Sequence, residues 1–266
     1  MDSTVAESPP VEAAGTAPAA PLLHAEGLSL AFGTRTLLQD LSFEIRPGEV
    51  FVIMGASGCG KSTLLRCLIG LHAPRSGRVL YGERDLYKSE EAELSQLRRE
   101  FGVMFQAGAL WSSMTVGENV MLPLQLFGTL DAAEREQEAR FKLALVGLAD
   151  SFDVEPASLS GGMRKRAAIA RAMALNPALL FLDEPSAGLD PLTSARLDEL
   201  ILHLRRHLGT TVVMVTHELQ SIFAVADRAL FLDGDAKTMS ALDAPKRLLD
   251  SGPENVREFL RRGQPP

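Results

Sequence analysis

Glu49-Val50-Phe51-Val52-Ile53-Met54-Gly55-Ala56-Ser57-Gly58-Cys59-Gly60-Lys61-Ser62-Thr63 is the stretch whose reading decides the fold of this chain. Its first half is a short apolar run with the length and composition of a strand buried on both faces. Its second half matches Gly-x-x-x-x-Gly-Lys-Ser, the phosphate-binding loop pattern, without a mismatch. A helix over residues 61–70 completes the required context of strand, glycine-rich loop and helix. The glycines let backbone N–H groups curl around phosphate oxygens, and the helix N-terminus adds partial positive charge. Lys61 would reach the β- and γ-phosphates, and the Ser62 hydroxyl would ligate Mg²⁺. Gly55, Ala56, Ser57, Gly58, Cys59, Gly60, Lys61, Ser62 and Thr63 are therefore the candidate nucleotide-binding residues.

A second apolar run, residues 178–182, ends in Asp183-Glu184. A buried strand that delivers acids at its carboxyl end places them at the ligand crevice of an open α/β sheet. Asp183 would hold Mg²⁺, and Glu184 would orient and deprotonate an attacking water. Two other residues follow strands in the same way. Gln106, after residues 101–105, would reach the Mg²⁺ and the water. His217, after residues 211–216, would hydrogen-bond the γ-phosphate. Phe32 would stack on adenine, although a phenylalanine in a strand is more often core. Leu159-Ser160-Gly161-Gly162-Met163 precedes a helix carrying Arg164, Lys165, Arg166 and Arg171. A serine hydroxyl and bare amides at a helix N-terminus make a second anion site. One nucleotide does not need two such sites in one chain, so Ser160, Gly161 and Gly162 make sense as a cap on phosphate held by another copy. The basic helix is alternatively just a solvated face. Ser186-Ala187-Gly188-Leu189-Asp190 would either cross between copies or simply initiate the helix at Pro191.

Around these motifs, 266 residues suffice for a substantial core, and the composition is that of a globular protein. The net charge of −7 argues against a general nucleic-acid binder. On one helix, Cys59 and Cys67 would be separated by roughly 12 Å of rise, too far for a disulfide. No apolar run is long enough to span a bilayer, and no secretory leader precedes the cassette, so membrane association would be borrowed from a partner. Residues 1–21 read as a disordered extension. Alternation over residues 22–32 and 41–46 predicts antiparallel strands. Residues from 107 to about 170 form a helical insert, notably 116–127 and 131–146. Strand–helix alternation then resumes through residue 233, which predicts a mainly parallel sheet with helices on both faces. Residues 242–266 form a helical tail.

From residue 22 to 241 the order of these elements resembles the ATP-binding subunit of ABC transporters: Phe32, the phosphate loop, Gln106, the signature 159–162, Asp183-Glu184, the loop 186–190 and His217. That resemblance implies a P-loop NTPase of RecA-like α/β core with an antiparallel β subdomain and an ABC-specific α-helical insert. It implies ATP and Mg²⁺ as ligands, and a head-to-tail pair of copies sandwiching two ATP molecules. It also implies an integral-membrane permease at the cytoplasmic face of the bacterial inner membrane. The signature ends in Met163 where the family's commonest form has Gln. That methionine, the stretch 104–116 with Trp111, and the tail 256–260 resemble the branch serving MCE-type (Mla) phospholipid transporters. The branch implies an MCE-domain lipid-binding partner and a small accessory protein. An ATPase for another cargo, such as an amino acid, a lipoprotein or a solvent, is the alternative. A soluble non-transport ATPase fits less well, because one cassette is present and no heptads separate Ser62 from Ser160. An interaction module that binds ATP without hydrolysing it would have lost Glu184 or His217, and both are present.

Overall fold

The computed structural model describes residues 20–262, so the extension expected over residues 1–21 falls almost wholly outside the described residues. In chain order, the first elements are β1 (Leu23–Phe32), β2 (Arg35–Ile45), β3 (Val50–Gly55), α1 (Lys61–Leu68), β4 (Ser76–Tyr81), β5 (Arg84–Asp85), α2 (Glu91–Leu97) and β6 (Phe101–Met104). Three helices follow: α3 (Val116–Phe127), α4 (Ala132–Leu145) and α5 (Gly161–Ala172). The chain then runs through β7 (Leu179–Asp183), α6 (Pro191–Leu208), β8 (Thr211–Val215), α7 (Leu219–Val225), β9 (Arg228–Asp233) and β10 (Thr238–Asp243). It ends in α8 (Pro245–Ser251) and α9 (Glu254–Arg261).

Every residue of β3 is buried, as its uninterrupted apolar sequence requires of a central strand. It lies between β8 and β9, parallel to both, in a six-stranded sheet of order β10-β9-β3-β8-β7-β6. Only β10 runs antiparallel, at the edge. Successive side chains of a strand point to opposite faces, so the sheet divides the interior into two cores. Val50, Val52 and Met54 of β3, with Leu180 and Leu182 of β7, pack against α3 to α7 and the tail helices. Phe51, Ile53, Leu179 and Phe181 pack against α1 and the smaller sheet. That smaller sheet is antiparallel, of order β2-β1-β4-β5. The helices begin where local chemistry allows. Thr115 with Glu118, and Asp131 with Glu134, form reciprocal capping boxes that start α3 and α4.

Three details differ from the sequence reading. β2 begins at Arg35 rather than near residue 41, and β4, β5 and β10 carry no alternation strong enough to announce them. Cys59 lies in the loop before α1 and Cys67 within the helix, so the two do not share it; both are free and buried. Burial pushes the Cys67 thiol up to about 11. Among the described residues, no helix is long and apolar enough to cross a membrane.

One buried carboxylate is only half satisfied. Asp198 of α6 accepts a 2.8 Å hydrogen bond from Ser221 Oγ of α7, while its Oδ1 has no partner. Desolvation raises its pKa to about 6, and the Ser221 bond opposes that rise. With the folded value above the unfolded one, the native state binds more protons between about pH 4 and 6, and stability falls as pH rises through that window. Asp198→Asn should therefore stabilise the chain at pH 7.5 by on the order of 2 kcal/mol. The gain should shrink as pH drops towards 4. Urea denaturation at the two ends of this window checks the slope, and a gain that is flat with pH would reject the assignment.

Candidate active site

The parallel pairing sets the carboxyl ends of β3, β8, β7 and β6 side by side. Ile53 and Asp183 both pair with Val215, and Met104 pairs with Leu182. The loops leaving these strand ends carry the phosphate loop, His217, Asp183-Glu184 and Gln106. They converge on an open cleft of about 590 Å³ lined by Phe32, Ser57, Gly58, Gly60, Lys61, Ser62, Thr63, Gln106, Glu184 and His217. Arg35 and Leu37 line it as well. The sequence reading missed both because it started β2 too late.

The phosphate loop needs its glycines for different reasons. Gly55 has φ 145°, and a Cβ there would sit 2.5 Å from the Leu232 carbonyl oxygen. Gly60 has φ 107° and forms the N-cap of α1, where a side chain would be strained. Lys61 Nζ donates to the Gly55 and Ala56 carbonyls, each at 3.0 Å, which aims the ammonium across the loop. An ammonium has three donors, so one remains for a phosphate oxygen. Cys59 is turned into the core against Gly55 and Gly234 rather than into the cleft.

Ser62 Oγ donates to Asp183 Oδ1 at 3.0 Å. These are hard oxygen donors of the kind Mg²⁺ takes, and Gln106 adds an amide oxygen beside the same cleft. Among the described residues, no group of three or more His, Cys, Asp or Glu could cage a metal. The donor set therefore fits an ion completed by phosphates and water, which is how Mg²⁺ is commonly held.

Glu184 is strained and held. Its φ is 49°, a left-handed conformation rare for a residue with a side chain. Its N–H donates to the Val215 carbonyl at 2.9 Å. Its Oε1 lies 2.9 Å from His217 Nδ1, and its Oε2 is buried without a hydrogen-bond partner. An ionised Glu184 can only accept, so the contact puts the proton on His217 Nδ1. Nε2 is left for a phosphate oxygen, and it donates there when the ring carries both protons. Oε2 is the lone acceptor left for a water's proton. Phe32 closes the cleft at the end of β1. It is 56% exposed and leans on His72, with ring centroids 4.9 Å apart. It is not core, and its exposed ring is open to a base.

The signature does not line this cleft. Ser160 caps α5 by accepting from Met163 N–H at 3.2 Å. Ser160 and Gly162 border a separate depression shared with Leu189 and Thr193. Gly162 permits the close approach of α6, because a Cβ would lie 2.4 Å from Thr193 Cγ2. Arg164 is exposed, but the other three basic residues of α5 are not a solvated face. Arg166 donates to the Val146 and Gly147 carbonyls, Arg171 to those of Gly108 and Ala109, and Lys165 is 9% exposed. Their periodicity resembles a surface stripe, but loops fold over them. Trp111, in the stretch just beyond Gln106, is 58% exposed.

Together, the fold and the cleft define an ATP-binding cassette. A family model described as ABC transporter matches residues 38–187. The methionine import ATP-binding protein MetN of Rhizobium johnstonii is 46% identical over 202 residues, 76% of this chain and 56% of the relative. MetN 1 of Yersinia pestis is 42% identical over 198 residues, 74% of this chain and 57% of that protein. The chain thus spans little more than half the length of these curated relatives. Among solved structures, a dimeric post-hydrolysis state of the ATP-binding cassette MJ0796 bound to ADP and Pi superposes with a TM-score of 0.75 at 30% identity, covering 84% of this chain and 98% of that one. CbiO1 from Clostridium perfringens, part of the ABC transporter complex cbiONQ, gives 0.79 at 27% identity, covering 91% and 95%. The chain belongs to the ABC transporter family.

The methionine-import relatives overturn the expectation of phospholipid transport, and with it the MCE-domain partner. The structure explains why the branch-like residues misled. Met163 packs against the core of the helical insert, and Phe259 of the tail meets Phe231 of β9 edge-on with centroids 5.2 Å apart. Those residues report packing within the cassette.

Proposed function

We propose that the chain is the ATPase subunit of an ABC transporter that imports an amino acid, with methionine the leading cargo. The observation that carries the ATPase half is the convergence of Lys61, the Ser62–Asp183 pair, Gln106 and the Glu184–His217 pair on one cleft. The cargo rests on the amino-acid import ATPases that the chain is similar to. In this reading, Phe32 stacks on adenine and the loop 55–63 wraps the phosphates. Ser62, Asp183 and Gln106 would hold Mg²⁺, which when bound supplies positive charge to the β- and γ-phosphates. Glu184 Oε2 accepts a proton from water as its oxygen attacks the γ-phosphorus in line. The bond from that phosphorus to the β–γ bridging oxygen breaks, and ADP takes the electron pair. Ser160, Gly161 and Gly162 close over the ATP of a second copy, head to tail. The cassette covers residues 22–241, the tail follows, and a permease holds the pair at the cytoplasmic face of the inner membrane.

Glu184→Gln should keep ATP binding and lower turnover by about 10² to 10⁴, the usual cost of losing a general base. Cells carrying it should lose uptake of labelled methionine. Near-normal phosphate release by the purified variant rejects the base. Lost hydrolysis with undiminished uptake rejects the cargo.

The permease contact is proposed at Trp111, just beyond Gln106. Buried Asn119 fastens this loop. Its Oδ1 accepts from Trp111 N–H at 2.7 Å, and its amide donates to the carbonyls of Trp111, Met114 and Thr115. The backbone is fixed while the indole stays exposed, an arrangement suited to an aromatic anchor. Trp111→Ala should weaken co-purification with the permease by about 2 kcal/mol or more, with the melting temperature of the isolated cassette unchanged. Unchanged docking would place the anchor elsewhere.

A further inference from the structure

Lys165 is a buried lysine that the ATPase reading leaves without a task. It lies on α5, five residues beyond Ser160, with 9% of its surface exposed. Its Nζ donates to the carbonyl oxygen of Gln106 and, at 3.2 Å, to that of Glu184. These two carbonyls belong to the residues that bring the Gln and Glu side chains to the cleft, yet they leave from different strands, β6 and β7. Glu184 holds its left-handed backbone with few tethers. Its N–H reaches Val215, and its carbonyl receives Lys165 Nζ and Ala187 N–H. A strained backbone persists only where its surroundings over-determine it. Helix α5 also grips the loop beyond Gln106 a second time, through Arg171 to Gly108 and Ala109.

The charge is costly where it sits. Burial pushes the Lys165 amine below the usual lysine value, against the pull of the Asp183 and Glu184 carboxylates. A buried ion pair replaced whole by apolar residues often costs no stability, whereas removing one partner alone leaves the others unpaired. What a methionine of similar length would not supply is a donor for two carbonyls at once.

We propose that Lys165 is a positioning residue that ties the backbones of Gln106 and Glu184 to the helix capped by Ser160. The chain's own hydrolysis site and the signature it offers to a second copy then move as one piece. Closure of Ser160 on a neighbour's ATP is thereby felt at Gln106 and Glu184 of the same chain, which couples the two sites of the pair. The proposal rests on the ATPase reading above.

The test uses the full chain in complex with its permease and compares wild type, Lys165→Met, Lys165→Arg and Lys165→Gln. Lys165→Met should keep its KM for ATP, while kcat falls by about tenfold or more, as expected when catalytic groups are slightly misplaced. The Hill coefficient for ATP should fall towards 1. Lys165→Arg, whose guanidinium can span two acceptors, should recover part of kcat. A kcat for Lys165→Met within about twofold of wild type overturns the proposal. So does a kcat loss matched by a lowered melting temperature that Lys165→Arg does not relieve. If Lys165→Met fails to fold, Lys165→Gln decides: reduced kcat at unchanged KM supports the tie, and full kcat refutes it. A wild-type complex that does not hydrolyse ATP removes the ATPase reading itself and is distinguishable from every result on Lys165.

Discussion

The parallel register of β3, β8, β7 and β6 is the constraint on which the site depends. Because Val215 pairs with both Ile53 and Asp183, the strands end at one level, and the loops that leave them open onto one crevice. Nothing in Lys61, Gln106, Glu184 or His217 alone specifies their meeting, since they are spread over more than half of the chain. Burial on both faces does. Phe51, Ile53, Phe181 and Val213 fill one core, and Val52, Met54, Leu182 and Met214 fill the other. A register slip of one residue would exchange the two sets and carry the catalytic ends out of line.

That rigid floor carries a few strained or unsatisfied groups at its rim. Glu184 keeps a left-handed backbone and a buried, unpartnered oxygen, and Ser186 Oγ beside it is also buried without a partner. Unpaired buried polar atoms are costly, and these sit where phosphate chemistry and contact between copies would use them. The helical insert is joined to the floor by polar links rather than by a continuous core alone. Lys165 and Arg171 of α5 are the side chains that make these links to the Gln106 loop.

Local, contiguous signals were legible in the sequence. The phosphate loop, the strand before it and the helix after it are read from one stretch, and β3, β7 and β8 declare themselves as apolar runs. Helices over 116–127 and 131–146 were legible from their patterning, within a residue of α3 and α4. Features set by distant partners were not. β10 exists because β9 lends it an edge, and β4 because β1 does. Arg35 and Leu37 join the cleft through the early start of β2. Lys165 is indistinguishable from its exposed-looking neighbours until loops from two strands cover it. Trp111 could not be placed by composition, since exposure is decided by the whole fold. Cargo is least legible of all: Met163 and Phe259 answer to packing partners inside the cassette.

The central claim is that each ATP is shared, held by the phosphate loop of one copy and capped by Ser160 of another. A thiol-reactive γ-phosphate analogue of ATP tests it directly. One tagged chain carries Ser160→Cys together with Lys61→Ala, so its own loop cannot hold the analogue, and it is mixed with wild-type chains. The account predicts that the tagged chain is labelled only when wild-type chains are present. Labelling should be lost when a Ser160→Cys chain with an intact loop is surrounded by excess Lys61→Ala partners. Full labelling in that last mixture, with none in the first, would contradict the account, because the signature would then serve the nucleotide of its own chain.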